Sequence, residues 1–261
     1  MDMKKVLTIA GSDSSGGAGV QADIKTMMAH KVFALSVITA ITAQNTVGVD
    51  DVLDAGADIV GKQMDCVFTD IFPDAVKIGM VSNIETIKMI ASKLKQYGPK
   101  NIVIDPVMVS TSGCALMHPD AMDTLISVLL PLGDIITPNI PEAEKLCGFQ
   151  ISSTDDMQRA AKVISANLSG SVLIKGGHLT ETADDLLYDK GEFIWYRGER
   201  VDNPNTHGTG CTLSSAIASN LALGYDMRTS VRNAKDYITG ALKAGLDLGR
   251  GSGPLNHAWR M

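Results

Sequence analysis

Short apolar segments alternate with longer amphipathic segments along most of the chain. The runs at 6–10, 102–104 and 171–174 are short, apolar and followed by Gly, Asp or Lys, which is typical of buried strands. Residues 84–97 instead repeat apolar side chains every three or four positions, as one face of a helix does. The same criteria predict strands at 33–42, 75–78 and 134–137, and helices at 20–30, 54–69, 119–130, 155–168, 209–223 and 229–248.

This alternation predicts an α/β fold, in which a mostly parallel sheet is covered by helices on both faces. One exception lies in the C-terminal third, where the apolar segments 183–188 and 192–197 flank Asp189-Lys190-Gly191. Such a turn predicts a hairpin and therefore an antiparallel edge. Because no linker, repeat or low-complexity tract interrupts the pattern, we expect one domain over residues 1–261.

Composition and charge exclude several classes of protein. The chain has 261 residues, 45% of them hydrophobic, and a net charge of −6 without a Lys/Arg cluster, which argues against a nucleic-acid partner. No apolar run approaches the roughly 20 residues of a membrane span, and the N-terminal residues lack a secretion pattern. The four cysteines are far apart, so we expect reduced thiols, no zinc site and a cytoplasmic location.

Polar residues follow most of the predicted strands directly. Because the carboxyl ends of parallel strands meet at one rim of a sheet, these residues predict a shared ligand site there. They are the glycine/serine segment 11–19, Gln44, Gly79-Met80, Asp105, Asn139 with Glu142, and Lys175. Taken singly, most of these positions are better explained as turns, and only their shared placement argues for a site.

Residues 205–212, of sequence NTHGTGCT, place a glycine loop at the start of a predicted helix. Gly208 and Gly210 allow a ligand to approach the backbone closely, and the first N–H groups of the helix favour an anion such as phosphate. Cys211 lies at the same positive helix end, where we expect its thiol pKa to fall. The loop therefore combines an oxyanion cradle with a candidate base or nucleophile.

The remaining polar candidates each have a structural alternative. Asp105 and Glu142 could hold Mg²⁺ beside substrate phosphates, or could be a turn acid and a first-turn helix acid. Lys175 could neutralise a transferring phosphate or be a solvated lysine at a strand exit. The segment 16–19 is not a Walker A loop, because no Gly-Lys-Ser/Thr closes it. His178 and His207 are interpreted as loop histidines, and Cys66, Cys114 and Cys147 as packing or loop residues.

Seven segments in this order resemble the hydroxymethylpyrimidine/phosphomethylpyrimidine kinases of thiamine biosynthesis, within the ribokinase-like superfamily. The resemblance runs essentially from end to end. The segments are TIAGSDSSGGAGVQAD at 8–23, AQNT at 43–46, KIGM at 77–80, DPVM at 105–108, TPN at 137–139 with Glu142, KGGH at 175–178 and THGTGCT at 206–212.

The resemblance implies a three-layer αβα fold and transfer of phosphate from ATP, with Mg²⁺, to 4-amino-5-hydroxymethyl-2-methylpyrimidine and then to its monophosphate. It implies an anion hole at Gly208, Thr209 and Gly210, with Cys211 where related sugar kinases have an aspartate base. The implied site residues are Asp23, Gln44, Gly11, Met80 and Val107 for the pyrimidine, Asp105 and Glu142 for Mg²⁺, and Asn139, Lys175 and Thr209 for ATP, with Lys175 also catalytic. Members commonly form homodimers. We expect Cys211 to position the hydroxyl group and to accept its proton late.

Three other functions remain open at this point. Pyridoxine/pyridoxal kinases of the same superfamily are similar, but tend to carry an apolar residue, often Met, where this chain has Gln44. A hydrolase or acyl transferase with Cys211 as nucleophile would leave Asp105, Glu142 and Lys175 without a role. A non-catalytic nucleotide sensor would not need the whole constellation. Residues 109–116, rich in Ser with one Gly, are a candidate lid.

Overall fold

The computed structural model describes residues 3–108, 117–177 and 183–260. Within these residues one nine-stranded sheet has the strand order β3-β2-β1-β4-β5-β6-β7-β8-β9. The six strands from β2 to β7 in this order are parallel to one another. The strands are β1 (Lys5–Asp13), β2 (Phe33–Gln44), β3 (Val49–Asp54), β4 (Ala75–Ile78), β5 (Ile102–Ile104), β6 (Ile135–Ile136), β7 (Ser171–Ile174), β8 (Asp185–Asp189) and β9 (Glu192–Tyr196).

Helices cover both faces of the sheet. They are α1 (Gly19–Ala29), α2 (Ala57–Asp70), α3 (Ile84–Tyr97), α4 (Met122–Thr124), α5 (Ile140–Cys147), α6 (Thr154–Ser165), α7 (Thr209–Ala222) and α8 (Met227–Lys243). Neighbouring strand residues point to opposite faces, so Leu7 packs with α2 and α3, whereas Val6 packs in the cluster that contains side chains of α1, α7 and α8. The predicted αβα fold is therefore confirmed.

The antiparallel edge predicted from the turn at residues 189–191 is also confirmed. β7 pairs with β8, and β8 with β9, in antiparallel register. A second antiparallel edge was not predicted, because β3 was interpreted as loop and as the start of a helix. β3 has the sequence VDDVLD and is largely exposed, so it lacks the apolar run that marks a buried strand. The helix predicted from residue 54 begins at Ala57.

The segment 119–132 differs from the single helix predicted over 119–130. A 3₁₀ turn (Pro119–Ala121) leads into α4, followed by a π-helical stretch (Leu125–Leu129) and a second 3₁₀ turn (Leu130–Leu132). Pro131 has no backbone N–H and its ring crowds the preceding turn, so a regular α-helix cannot continue through it. α5 was not among the predicted helices, although its position agrees with the alternative interpretation of Glu142 as a first-turn helix acid. Among the described helices, none combines the length and apolar character that crossing a membrane requires.

Candidate active site

The polar residues that follow the parallel strands lie at one rim of the sheet, as the sequence predicts. Ile78, Ile104 and Ile136 are aligned across β4, β5 and β6, so the residues after them leave the sheet at the same level. Beyond the strands, Asn139 and Lys175 form a further parallel bridge. This register brings Gly79, Asp105, Asn139 and Lys175 to one edge.

The first glycine loop, residues 14–18, is organised by the carboxylate of Asp13 at the end of β1. One of its oxygens accepts hydrogen bonds from the backbone N–H and the hydroxyl of Ser15, at 2.8 and 2.7 Å. The other accepts from Gly17 N–H at 3.1 Å and Ala18 N–H at 2.8 Å. Burial alone would raise the pKa of Asp13, but hydrogen bonds from His207, Ser15 and Ala18 outweigh it and hold the pKa at about 2.

The second glycine loop packs directly on the first. Gly208 precedes α7 with φ of +80°, and a Cβ atom there would lie 1.8 Å from the carbonyl oxygen of Gly17. Both the left-handed backbone and this close approach therefore require glycine. Thr209 begins α7, and its hydroxyl donates to the carbonyl of Thr206. The loop thus presents the open N-terminus of a 14-residue helix, which is the predicted anion cradle.

Asp105 and Lys175 converge on this cradle. Lys175 Nζ lies 2.8 Å from Asp105 Oδ1, which also accepts the hydroxyl of Thr137 at 3.1 Å. A Cβ atom on Gly210 would lie 3.3 Å from both Asp105 Oδ2 and Lys175 Nζ. Burial would lower the pKa of Lys175, but Asp105 and Glu142 raise it, so the amine is cationic. Lys175 is therefore a paired lysine facing the loop rather than a solvated one.

Asn139 and Glu142 begin α5 as a capping box. Asn139 Oδ1 accepts from Glu142 N–H at 2.9 Å, and Glu142 Oε2 accepts from Asn139 N–H at 2.8 Å. Both predicted ligand residues thus also have a structural role. Burial and the charge of Asp105 raise the pKa of Glu142 to about 7, although Lys175 opposes the shift.

The carboxylates at this point fit a Mg²⁺ site in which the protein supplies only part of the coordination shell. Asp105 and Glu142 are buried carboxylates close enough for one charge to affect the other. Mg²⁺ commonly takes one or two carboxylates and completes its shell with waters and phosphate oxygens. Within residues 3–108, 117–177 and 183–260, no group of three or more His, Cys, Asp or Glu forms a metal cage. Mg²⁺ binding by this pair stays a prediction.

The prediction of a lowered pKa for Cys211 is wrong. Burial raises the pKa of its thiol to about 11, although the nearby Lys77 ammonium opposes the shift. The charges of Asp23 and Asp105 raise it further. The helix N-terminus does not compensate, so the thiol holds its proton at neutral pH.

A buried ion pair under α7 was missed by the sequence analysis. Lys77 on β4 and Asp23 on α1 are both 0% exposed, and Lys77 Nζ lies 2.9 and 2.8 Å from the two oxygens of Asp23. The carboxylate also accepts from Thr8 Oγ1 at 2.5 Å and from Ser215 Oγ, one turn after Cys211, at 2.6 Å. Burial would lower the pKa of Lys77, but Asp23 raises it strongly. Asp23 was predicted to contact the pyrimidine, and its oxygens instead have these protein partners.

Gln44 ends β2, and its amide lies between two polar groups. Thr42 Oγ1 and His207 Nε2 lie 3.2 and 3.3 Å from the two terminal atoms of the amide. Because Thr42 donates its hydroxyl hydrogen to the Ser12 carbonyl, it accepts from the amide NH₂ group, and the amide oxygen faces His207. A cavity of about 210 Å³ opens beside Gln44 and is also lined by His207 and by Gly251 of the C-terminal segment.

The other predicted pocket residues, Gly11, Met80 and Val107, lie at the ends of β1, β4 and β5 or just beyond them. A Cβ atom on Gly11 would be 3.2 Å from the sulfur of Met80, so these two residues are neighbours. Met80 is buried, and Val107 follows β5 with intermediate exposure. The candidate lid at 109–116, with Cys114, and His178 all lie outside the described residues.

Comparisons with known proteins decide between the families that share this architecture. The sequence profile of the family described as phosphomethylpyrimidine kinase matches residues 13–256. The chain belongs to this family. It is 50% identical over 258 residues to a hydroxymethylpyrimidine/phosphomethylpyrimidine kinase of Rhizobium meliloti, with 97% of each chain covered.

Solved structures agree with this assignment. The chain is similar to a phosphomethylpyrimidine kinase from Clostridium difficile, with 52% identity, a TM-score of 0.82, and 90% of this chain and 98% of the other covered. It is also similar to a pyridoxal kinase from Bacillus subtilis solved as an ADP complex, with 38% identity, a TM-score of 0.92 and 98% of each chain covered. The predicted family and fold are therefore confirmed.

Proposed function

We propose that this protein transfers the γ-phosphoryl group of ATP to the hydroxymethyl group of 4-amino-5-hydroxymethyl-2-methylpyrimidine, and then phosphorylates the monophosphate. The observation that carries the proposal is the convergence of Asp105 and Lys175 on the Gly208–Gly210 cradle, in a chain of the phosphomethylpyrimidine kinase family. Phosphoryl transfer depends chiefly on positioning and charge stabilisation, which this arrangement supplies.

The cradle and Lys175 carry the electrostatic part of the reaction. The N–H groups of Gly210 and Cys211 in the first turn of α7 donate to the equatorial oxygens of the transferring group, whereas the Thr209 N–H is bonded to the Thr206 carbonyl at 3.2 Å. Asp105 in the same site is only 2% exposed. Lys175 neutralises charge on the same group and is held in place by Asp105. Asp105 and Glu142 would hold Mg²⁺, which when bound neutralises phosphate charge, and Asn139 and Thr209 lie where the nucleotide phosphates would enter.

Cys211 positions the substrate hydroxyl and does not take its proton early. A thiol with a pKa of about 11 carries its own proton at neutral pH, so it is a hydrogen-bonding partner and not a ready base. The transition state of phosphoryl transfer is loose, so the hydroxyl keeps its proton until the bond to phosphorus has formed. The proton then passes to an oxygen of the transferred phosphoryl group or to water, while the thiol keeps its own. The Asp23–Lys77 pair stabilises α7 beneath Cys211 through Ser215.

Gln44 recognises the pyrimidine edge in this proposal. Its amide offers both a donor and an acceptor, which complement the exocyclic amine and a ring nitrogen. Gly11, Met80 and Val107 line the apolar faces of the ring. Asp23 then acts from behind the pocket, through Lys77, and does not contact the ring.

The second candidate function is pyridoxal kinase activity, favoured by the likeness to the Bacillus subtilis pyridoxal kinase. The two are distinguished by kcat/KM for the aminopyrimidine alcohol and for pyridoxal, measured as ADP release. We expect the aminopyrimidine to be preferred, and Gln44→Met to reduce that preference by about tenfold, roughly the value of one hydrogen bond. A higher kcat/KM for pyridoxal in the wild-type protein would favour the second function instead.

We also propose a single cytoplasmic domain that forms a homodimer through the β2–β3 edge. Ile41 and Leu53 face each other across these strands and are 56% and 67% exposed, and Val47 in the connecting turn is 65% exposed. An apolar patch on an edge strand is typical of an interface. Light scattering after gel filtration is expected to give twice the chain mass, and Leu53→Glu to give the monomer.

A further inference from the structure

The imidazole of His207 links the two ends of the candidate site and has no role in the mechanism above. His207 is 5% exposed and directly precedes Gly208 of the cradle. Its Nε2–H donates to Asp13 Oδ2 at 2.8 Å. The terminal amide of Gln44 lies 3.3 Å from the same nitrogen, so the amide oxygen is the atom that can accept from it. One buried side chain therefore contacts both the residue that organises the first glycine loop and the residue proposed to read the pyrimidine.

The connection to the cradle is steric as well as polar. A Cβ atom on Gly17 would lie 2.3 Å from the His207 ring, and one on Gly208 would lie 1.8 Å from the Gly17 carbonyl. Gly17 N–H in turn donates to the same oxygen of Asp13 that His207 contacts. Close-packed groups of this kind transmit small displacements, so the imidazole cannot shift without moving the cradle.

The connection to the pyrimidine end is through the amide of Gln44. A glutamine has three rotatable bonds, and an amide must be oriented before it can pair with a ring edge. Here only Thr42 and His207 contact the amide among the polar contacts of the described residues. Loss of the imidazole would remove one of the two polar contacts that orient the amide.

We propose that Asp13 and His207 form a positioning pair that fixes the Gln44 amide for the aminopyrimidine and the Gly208 cradle for the phosphoryl group at the same time. The pair acts through these two groups and does not touch the reacting atoms. The inference rests on the proposed function, because it assigns Gln44 to the pyrimidine and the cradle to the phosphoryl group.

Steady-state kinetics with Mg-ATP and the aminopyrimidine alcohol separate the two effects. We expect His207→Leu to raise KM about tenfold, because the amide loses its orientation, and to lower kcat at least tenfold, because the cradle shifts. Gln44→Met is expected to raise KM with little change in kcat. In the double variant, KM should be no higher than in Gln44→Met alone, since both substitutions remove the same interaction.

Matched variants distinguish positioning from a general loss of stability. Ser15→Ala removes a hydrogen bond to Asp13 that does not involve His207, and should leave KM within twofold. His207→Gln keeps a side-chain N–H and should recover part of kcat. If His207→Leu does not fold, as judged by its thermal melt, Asp13→Asn and His207→Gln give the same comparison with Gln44→Met.

The outcomes separate this inference from the function on which it rests. Suppose that the wild-type protein phosphorylates the alcohol, but that the double variant raises KM by the product of the two single-variant effects. That result would overturn the positioning pair and leave the function intact. Unchanged kcat and KM in His207→Leu would do the same. Absence of any product from the wild-type protein would overturn both.

Discussion

Replacing Lys77 with methionine tests the buried network beneath α7. Methionine is similar in length to lysine, so little volume is lost, but the carboxylate of Asp23 loses its only cationic partner among the contacts described. Both side chains are 0% exposed, and within the described part of the chain Asp23 keeps the hydroxyls of Thr8 and Ser215. Removing one member of such a pair costs about 3–5 kcal/mol, because an uncompensated charge stays buried.

Urea unfolding measures this cost directly. With a typical slope of about 3 kcal/mol per M for a chain of this size, the midpoint of Lys77→Met should fall by about 1–2 M. Adding Asp23→Asn to this variant removes the buried charge, so the double variant should regain at least about 1 kcal/mol of the unfolding free energy.

Lys62→Met is the matched control for this experiment. Lys62 Nζ also pairs with a carboxylate, that of Asp58 at 2.7 Å, but the two side chains are 67% and 84% exposed. An exposed pair contributes little, so this variant should unfold at the wild-type midpoint. Equal midpoints for Lys77→Met and Lys62→Met would refute the reasoning, as would a double variant less stable than Lys77→Met.

Three further substitutions or pH changes test other parts of the account. Gly208→Ala should lower kcat by at least about 100-fold, because the methyl group displaces the cradle. Gly148→Ala has the same φ of +80°, but among the described residues beyond its chain neighbours no atom lies within 4 Å of the new methyl group, so this variant should keep near-normal kcat. Burial lowers the pKa of His257 to about 4, so the unfolded chain binds a proton at a higher pH than the folded chain does. The free energy of unfolding should therefore fall as the pH drops from about 6.5 to 4, by about 3 kcal/mol more in wild type than in His257→Gln, and equal losses would contradict this. Iodoacetamide, followed by mass spectrometry, should modify the exposed Cys66 at pH 8 and Cys211 only above about pH 10, and early labelling of Cys211 would contradict its high pKa.

The sequence predicts most of the fold because burial in a parallel sheet leaves a clear pattern. β4, β5 and β7 are short strands with every residue buried, apolar except for Lys77 and Ser171, and their predicted bounds match the structure. β3 was missed because an exposed acidic strand has no such pattern. The helix at 119–130 was predicted as regular because periodicity does not register the effect of Pro131 on the backbone before it.

The site also contains residues that the sequence predicts and residues that it does not. Residues at strand ends, such as Asp105 and Lys175, could be placed at one rim from topology alone. Lys77 lies inside a strand, where sequence reasoning offers no signal for a buried charge until its partner, Asp23, is known. The thiol pKa of Cys211 was predicted with the wrong sign, because burial exceeds the effect of the helix N-terminus and burial is not visible in the local sequence.

The central claim is tested most directly by identifying the products formed from Mg-ATP and the aminopyrimidine alcohol. Phosphorus NMR and chromatography over time should show a monophosphate that accumulates first and a diphosphate that follows, while Gly208→Ala forms almost none of either. ADP release with no phosphorylated pyrimidine, or a wild-type protein that forms neither product, would contradict the proposed function.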